Sequence, residues 1–116
     1  MKINVNGTEV TIKWSNRALV NYENITGKSF TDCTTYNDVL VLFYSFILGS
    51  TKNTLELKWE DYNDWLDEDH EKALEERRPE AIVDFSEWWT GELERQNILS
   101  LELKAEGEEK KNLKDS

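Results

Sequence analysis

The sequence predicts an α+β fold that is mostly α-helical, with an N-terminal β-hairpin followed by about four helices packed around a central apolar helix at about residues 36–48. Three observations support this: residue alternation around Asn6 and Gly7, a long apolar run, and helical spacing of aromatic residues after Lys58. A chain of 116 residues is long enough for one domain with its own core. We expect residues 1–98 to form that domain. We expect residues 99–116, which are rich in Glu and Lys, to be a disordered tail.

The predicted hairpin covers KINVNGTEVTIKW at the N-terminus. Apolar residues occupy alternate positions on its arms: Ile3 and Val5, then Val10, Ile12 and Trp14. Asn6 and Gly7 both tolerate the positive φ of a tight turn. Because the arms are slightly unequal, a bulge or a longer loop is an open alternative. A lone hairpin is marginally stable in water, so its apolar side must pack on something.

The first helix is predicted from about Asn16 to Thr26, with Ser15 as its N-cap and Gly27 as a left-handed C-cap. We expect Lys28 to lie beside the negative helix end and Phe30 to fold back onto it. The predicted apolar stripe of this helix consists of Ala18, Leu19, Tyr22 and Ile25.

The second helix is predicted over residues 36–48 and is closed by Gly49. Apolar residues cover nearly its whole circumference, which is typical of a buried helix. A buried strand is the competing interpretation, because Val, Phe and Tyr favour strands. The length of the run and the Gly49 that follows favour the helix.

The third helix is predicted to start near Lys58, and residues 67–69 are expected to break it. A short helical turn over residues 70–77 follows, and Pro79 then suits the first turn of a last helix at residues 80–97. The predicted inner residues are Trp59, Tyr62 and Leu66 on the third helix and Ile82, Phe85, Trp89 and Leu93 on the last.

The net charge of −10 belongs to one segment. Residues 56–95 contain 15 acidic and 5 basic groups, whereas residues 1–55 contain 4 acidic and 5 basic groups. Such an acidic field repels phosphate backbones, so we expect no direct nucleic-acid binding. The longest apolar run is too short to cross a bilayer, and we expect no membrane association.

No residue set supports a reaction, so the sequence predicts a protein that is not an enzyme and has no cofactor and no metal. His70, with Asp67, Asp69 and Glu71 beside it, lacks the spacing and the second histidine of a helical zinc site. Cys33 would need a nearby base or positive charge to act as a nucleophile, and the only histidine is far away along the chain.

Two tryptophans, Trp65 and Trp88, suggest an interaction surface. Trp88 and Trp89 point about 100° apart on a helix, so both cannot lie at the centre of one inner stripe. Trp65 is likewise out of phase with Trp59 and Tyr62. Two interpretations stay open: a wide apolar face that partly buries these rings, or a partner-binding patch, in which Trp is enriched.

The chain resembles the tail assembly chaperones of long-tailed bacteriophages and prophages over roughly residues 2–97. These proteins open with a hairpin and a helix that ends near T-G-K, and they carry a later L-T-x-E-E-F-x-x-x-L-D segment. The matching residues are Ala18, Leu19, Tyr22, Glu23, Thr26, Gly27, Lys28, Ser29 and Phe30, then Leu57, Trp59, Glu60, Tyr62, Leu66 and Asp67. Trp59 replaces a residue that is usually acidic or small in the family.

The resemblance implies a protein of the bacterial host cytoplasm that binds the tape-measure protein and keeps it soluble during tail assembly. The tail tube protein is a second partner left open. A surface for this role needs apolar anchors in a charged rim, and the predicted partner-binding residues are Glu60, Asp64, Trp65, Glu87 and Trp88. The alternatives are a non-enzymatic adaptor or structural protein of a phage or mobile element and an acidic DNA-mimic inhibitor.

Overall fold

The computed structural model describes residues 1–97. The described chain divides into two units, Met1–Ser86 and a second unit that begins at Glu87. The first unit contains a hairpin, three complete α-helices, a 3-10 helix at Phe30–Asp32 and the start of a fourth α-helix, so the predicted fold class, α+β and mostly α, is confirmed. The predicted tail at residues 99–116 lies outside the described residues, and the extent of the predicted domain stays a prediction.

The hairpin consists of strands β1 (Lys2–Val5) and β2 (Thr8–Thr11), which pair antiparallel with Ile3 opposite Val10. Its turn has only two residues, Asn6 and Gly7, with φ angles of 51° and 92°. Both angles are positive, as this tight turn requires. The pairing runs without interruption from one end of the strands to the other, so the hairpin needs neither a bulge nor a longer loop.

Helix α1 (Asn16–Thr26) has the predicted caps at both ends. Ser15 Oγ accepts a hydrogen bond from the backbone N–H of Ala18 at 3.2 Å. Gly27 has a φ of 73°, and its N–H donates to the Glu23 carbonyl at 2.8 Å. The predicted stripe is wrong at its last position, because Ile25 is 53% exposed.

Helix α2 (Tyr36–Ser50) confirms the helical interpretation over the strand, but Gly49 does not end it. Gly49 is buried where α2 packs on the first turn of α1. A Cβ added at Gly49 would lie 2.8 Å from the backbone nitrogen of Ala18, closer than atoms can pack. The glycine is therefore needed for the close approach of the two helices, and Thr51 is the C-cap.

Helix α3 (Trp59–Glu76) is continuous through residues 67–69, so the predicted break and the separate turn at residues 70–77 are wrong. Asp69 is buried and accepts a hydrogen bond from the Ala81 N–H at 2.7 Å, which caps the start of the next helix. It also pairs with Arg78 at 2.9 Å. The buried carboxylate is thus satisfied by partners from the connection that follows α3.

The last helix, α4, covers residues 81–97 of the described chain. The core of the first unit is centred on Phe43 of α2. Its ring stacks on Phe85 at a centroid distance of 4.6 Å and contacts Tyr62 and Trp65 of α3 at 6.1 and 5.9 Å. The central position of α2 follows from its apolar circumference, because it can bury side chains against neighbours on several sides.

Candidate partner-binding surface

Helix α3 exposes the acidic surface that the sequence predicts. It carries nine Asp and Glu residues and one lysine. The predicted site residues Glu60 and Asp64 are both exposed, and they lie one turn apart on the same side of the helix. The two carboxylates therefore belong to one anionic face that is open to solvent.

Trp65 does not lie on that face. Its predicted role in partner binding required an exposed ring, and the structure buries the ring instead. The side chain is only 8% exposed, and its indole Nε1 donates to the Asn4 carbonyl of the hairpin at 3.1 Å. Its ring packs on Phe43 and Tyr62. Trp65 is thus part of the core, and it joins α3 to the edge of the hairpin.

Glu87 and Trp88 belong to the second unit, on the part of α4 that follows residue 86. Glu87 is exposed and Trp88 is half-buried. This partial burial of Trp88 agrees with the interpretation of a wide apolar helix face, which the sequence left open beside a partner-binding patch. Their predicted role in partner binding stays a prediction.

The structure also contains an apolar groove between α1 and α2 that the sequence does not predict. The cavity has a volume of about 420 Å³. We call it the α1–α2 groove; its lining residues are Asn21, Asn24, Ile25, Tyr44, Leu48 and Asn53. Ile25 is its most exposed apolar residue, and Tyr44 and Leu48 are half-buried. The three asparagines surround these apolar side chains with neutral hydrogen-bonding amides.

Aromatic contacts fix one wall of the groove. The ring of Tyr44 packs edge-on against Trp59 at 5.3 Å and lies 5.0 Å from the ring of Tyr62. Its hydroxyl donates to the Leu57 carbonyl, and burial raises the pKa of Tyr44, so it stays a donor. Trp59 is 39% exposed beside it. These contacts support the Tyr44 ring from its inner side, and the neighbouring Trp59 ring is partly open to solvent.

Two errors of phase explain why the groove was missed. The sequence places Ile25 and Trp59 on inner stripes, whereas both are exposed. The buried residues of α3 are Tyr62, Trp65, Asp69 and Ala73, so its inner stripe includes a carboxylate. Because hydrophobic periodicity counts Asp69 as polar, it favours the stripe that starts at Trp59 instead. A search that allowed one buried acid per stripe would have found the correct inner residues of α3.

The remaining candidate chemistry has structural explanations. Within residues 1–97, no group of three or more His, Cys, Asp and Glu side chains could hold a metal ion. His70 is exposed on α3, and its Nδ1 lies 2.6 Å from Glu80 Oε1; this hydrogen bond raises the pKa of the imidazole. Burial raises the pKa of the half-buried Cys33 thiol, which lowers its thiolate fraction at neutral pH.

Comparison of the chain with protein-family models, curated proteins and solved structures found no match. None of the helices within residues 1–97 is long and apolar enough to cross a membrane.

Proposed function

We propose that the protein is a phage or prophage tail assembly chaperone, without enzymatic activity, that binds apolar helical stretches of the tape-measure protein in the host cytoplasm. The α1–α2 groove is the observation that carries this proposal. A groove between two antiparallel helices accepts the ridge of a third helix, and helix-in-groove binding is a recurrent mode of peptide recognition. The resemblance described above supplies the identity of the partner.

The residues of the groove suit a chaperone that must bind and release several similar segments. Ile25 in the groove, and Trp59 packed on the groove residue Tyr44, offer apolar and aromatic contact area, and Tyr and Trp are enriched among residues that dominate binding energy. Because the asparagine side chains around the groove are neutral, they select no particular charge on the bound helix. The acidic face of α3 would keep the complex soluble, since net charge opposes association.

The test is co-expression with a phage tape-measure protein, followed by affinity purification in low and high salt. Ile25→Asp places a charge in the groove. Val20→Asp is the matched control, because Val20 is also a branched residue of α1, is 47% exposed and does not line the groove. We expect Ile25→Asp to reduce partner recovery about tenfold or more, the loss typical of an interface hot spot. Val20→Asp should bind like the wild type.

A DNA-mimic inhibitor is a second candidate, favoured by the nine carboxylates of α3. Its binding to a basic partner would weaken steeply as salt rises, whereas apolar contact would not. A salt-resistant complex that depends on Ile25 supports the chaperone. A complex lost in high salt and unaffected by Ile25→Asp would favour the mimic, and no complex at all would favour an adaptor.

A further inference from the structure

A cationic cleft lies at the start of α1, in a protein whose net charge is −10. The cleft has a volume of about 310 Å³. Its lining residues are Lys13, Trp14, Ser15, Arg17, Gly49, Ser50 and Lys52. The three basic residues are exposed, and Trp14 is half-buried against Phe30. The cleft therefore combines three cations with an aromatic surface and has no carboxylate in its lining.

The cationic cleft and the α1–α2 groove share one side of α1 and one turn. Arg17 of the cleft and Asn21 and Asn24 of the groove follow at intervals of four and three residues, so they lie on one face of the helix. The turn after α2 supplies Lys52 to the cleft and Asn53 to the groove. The cleft thus extends the groove toward the start of α1.

Hydrogen bonds hold the turn that joins the two cavities. The N–H of Lys52 donates to the Gly49 carbonyl at 3.1 Å, and that of Asn53 donates to the Leu48 carbonyl at 2.7 Å. The Asn53 side chain also accepts a hydrogen bond from the Asn21 amide at 3.2 Å, which ties the turn to α1. These bonds hold the Lys52 backbone beside the end of the groove.

From this continuity we infer that the bound partner segment is bipartite, with an apolar helical stretch in the α1–α2 groove and an adjacent block of Asp or Glu residues in the cationic cleft. The inference rests on the proposed function for the role of the groove and adds the sequence class that the site selects. Charge complementarity fixes the orientation of the segment, because reversing it would remove its carboxylates from the cations. Nucleic acid is the less favoured occupant, because the acidic field of residues 56–95 repels phosphate.

The probes are synthetic amphipathic helical peptides with one common apolar face, terminated by a block of glutamates, lysines or glutamines, with each block placed at either end. Fluorescence anisotropy measures their Kd for the wild-type protein. We expect one placement of the glutamate block to bind about tenfold more tightly than the glutamine peptide, and the lysine peptides to bind more weakly still.

The variants separate the cleft from general electrostatics. Arg17→Glu with Lys52→Glu should abolish or reverse the preference for glutamate. The matched control, Lys2→Glu with Lys72→Glu, makes the same change in net charge at exposed lysines that line other cavities, and should keep the preference. Ile25→Asp should weaken all peptides alike, because it acts on the groove that they share.

Equal affinity for all peptides, or an equal loss in both charge variants, would overturn the bipartite segment. If Ile25→Asp still abolished binding in that case, the groove and the proposed function would stand. Binding of a single-stranded DNA oligonucleotide that depended on Arg17 would overturn the assignment in favour of nucleic acid. Failure of every peptide to bind would overturn the inference, while recovery of the natural partner in the co-expression test would still decide the proposed function.

Discussion

Helices α2 and α3 contribute to the same aromatic core but expose opposite kinds of surface to solvent. Helix α2 contains one charged residue, Asp38, which is buried, whereas α3 contains nine carboxylates, of which only Asp69 is buried. After the exposed Tyr36 and Asn37 of its first turn, the surface left on α2 consists mainly of half-buried apolar side chains, and that on α3 is a carboxylate face. Under the proposed function, contact and solubility fall to different surfaces: the α1–α2 groove would bind the partner, and the eight exposed carboxylates of α3 would keep the complex soluble.

Within residues 1–97, two carboxylates are buried, one on each of these helices. Asp38 accepts hydrogen bonds from the backbone N–H groups of Thr34 and Thr35 and forms an ion pair with Lys28. It therefore ties the end of the α1–α2 connection to α2. Asp69 caps the start of α4. Each acid is buried only because a connection folds over it and supplies its donors.

The largest expected effect comes from Phe43→Ala, which removes the ring that α2 inserts among the aromatic residues of α3 and α4. Phe43 is fully buried and contacts three other rings, so truncation should lower the free energy of unfolding by about 3–5 kcal/mol. Tyr36→Ala is the control, because Tyr36 is on the same helix and is 67% exposed. Urea titrations measure both variants. A similar small loss in both would contradict the central position of α2.

A smaller effect is expected at Gly49, where α2 touches α1. Gly49→Ala should destabilise the protein by about 1–3 kcal/mol, because the added methyl meets the Ala18 backbone and the helices must separate. Gly91→Ala is the matched control: a Cβ there meets nothing within 4 Å, and alanine favours the helix by up to about 1 kcal/mol. In thermal unfolding, the Tm should fall for Gly49→Ala and rise for Gly91→Ala. A stabilised Gly49→Ala protein would disprove the close helix contact.

The Gly49 result shows where sequence reasoning succeeds and fails. The caps of α1 and the hairpin turn were predicted correctly, because Ser15, Gly27 and Asn6 with Gly7 act on their immediate neighbours. Gly49 acts on Ala18, 31 positions away in the sequence. Nothing local distinguishes a glycine that ends a helix from one that lets a second helix approach.

The same reason applies to the binding surface. The acidic residues Glu60 and Asp64 were placed correctly on an exposed face because charge alone predicts exposure. Trp65 and Ile25 were misplaced because each aromatic or aliphatic residue is compatible with either a core or a surface position. Their positions depend on Asn4 for Trp65 and on the α1–α2 packing for Ile25, and both contacts are long-range.

The smallest expected effect concerns the pH dependence of the Asp38 tie. The ion pair with Lys28 and the backbone donors hold the pKa of Asp38 well below its ordinary range. The native state therefore favours the carboxylate, and this contribution is complete above the unfolded pKa of about 3.9 and is lost as the pH falls toward the folded value. Asp38→Asn should be less stable than the wild type at neutral pH, and the two stabilities should converge in acid.

Lys28→Gln checks the cause of that shift. It removes the cation and leaves the backbone donors of Thr34 and Thr35, so its acid dependence should fall between those of the wild type and Asp38→Asn. Urea titrations from pH 7 downward measure all three proteins. A constant gap between wild type and Asp38→Asn at every pH would show that Asp38 contributes no proton linkage.

The most direct test of the proposed division between contact and solubility is amide hydrogen exchange of the complex with a tape-measure protein, mapped by mass spectrometry along this chain. The account predicts slower exchange on binding at the end of α1, the second half of α2 and the turn at residues 51–54, with little change along the acidic face of α3. Protection concentrated on residues 60–76, with the groove exchanging as in the free protein, would contradict it.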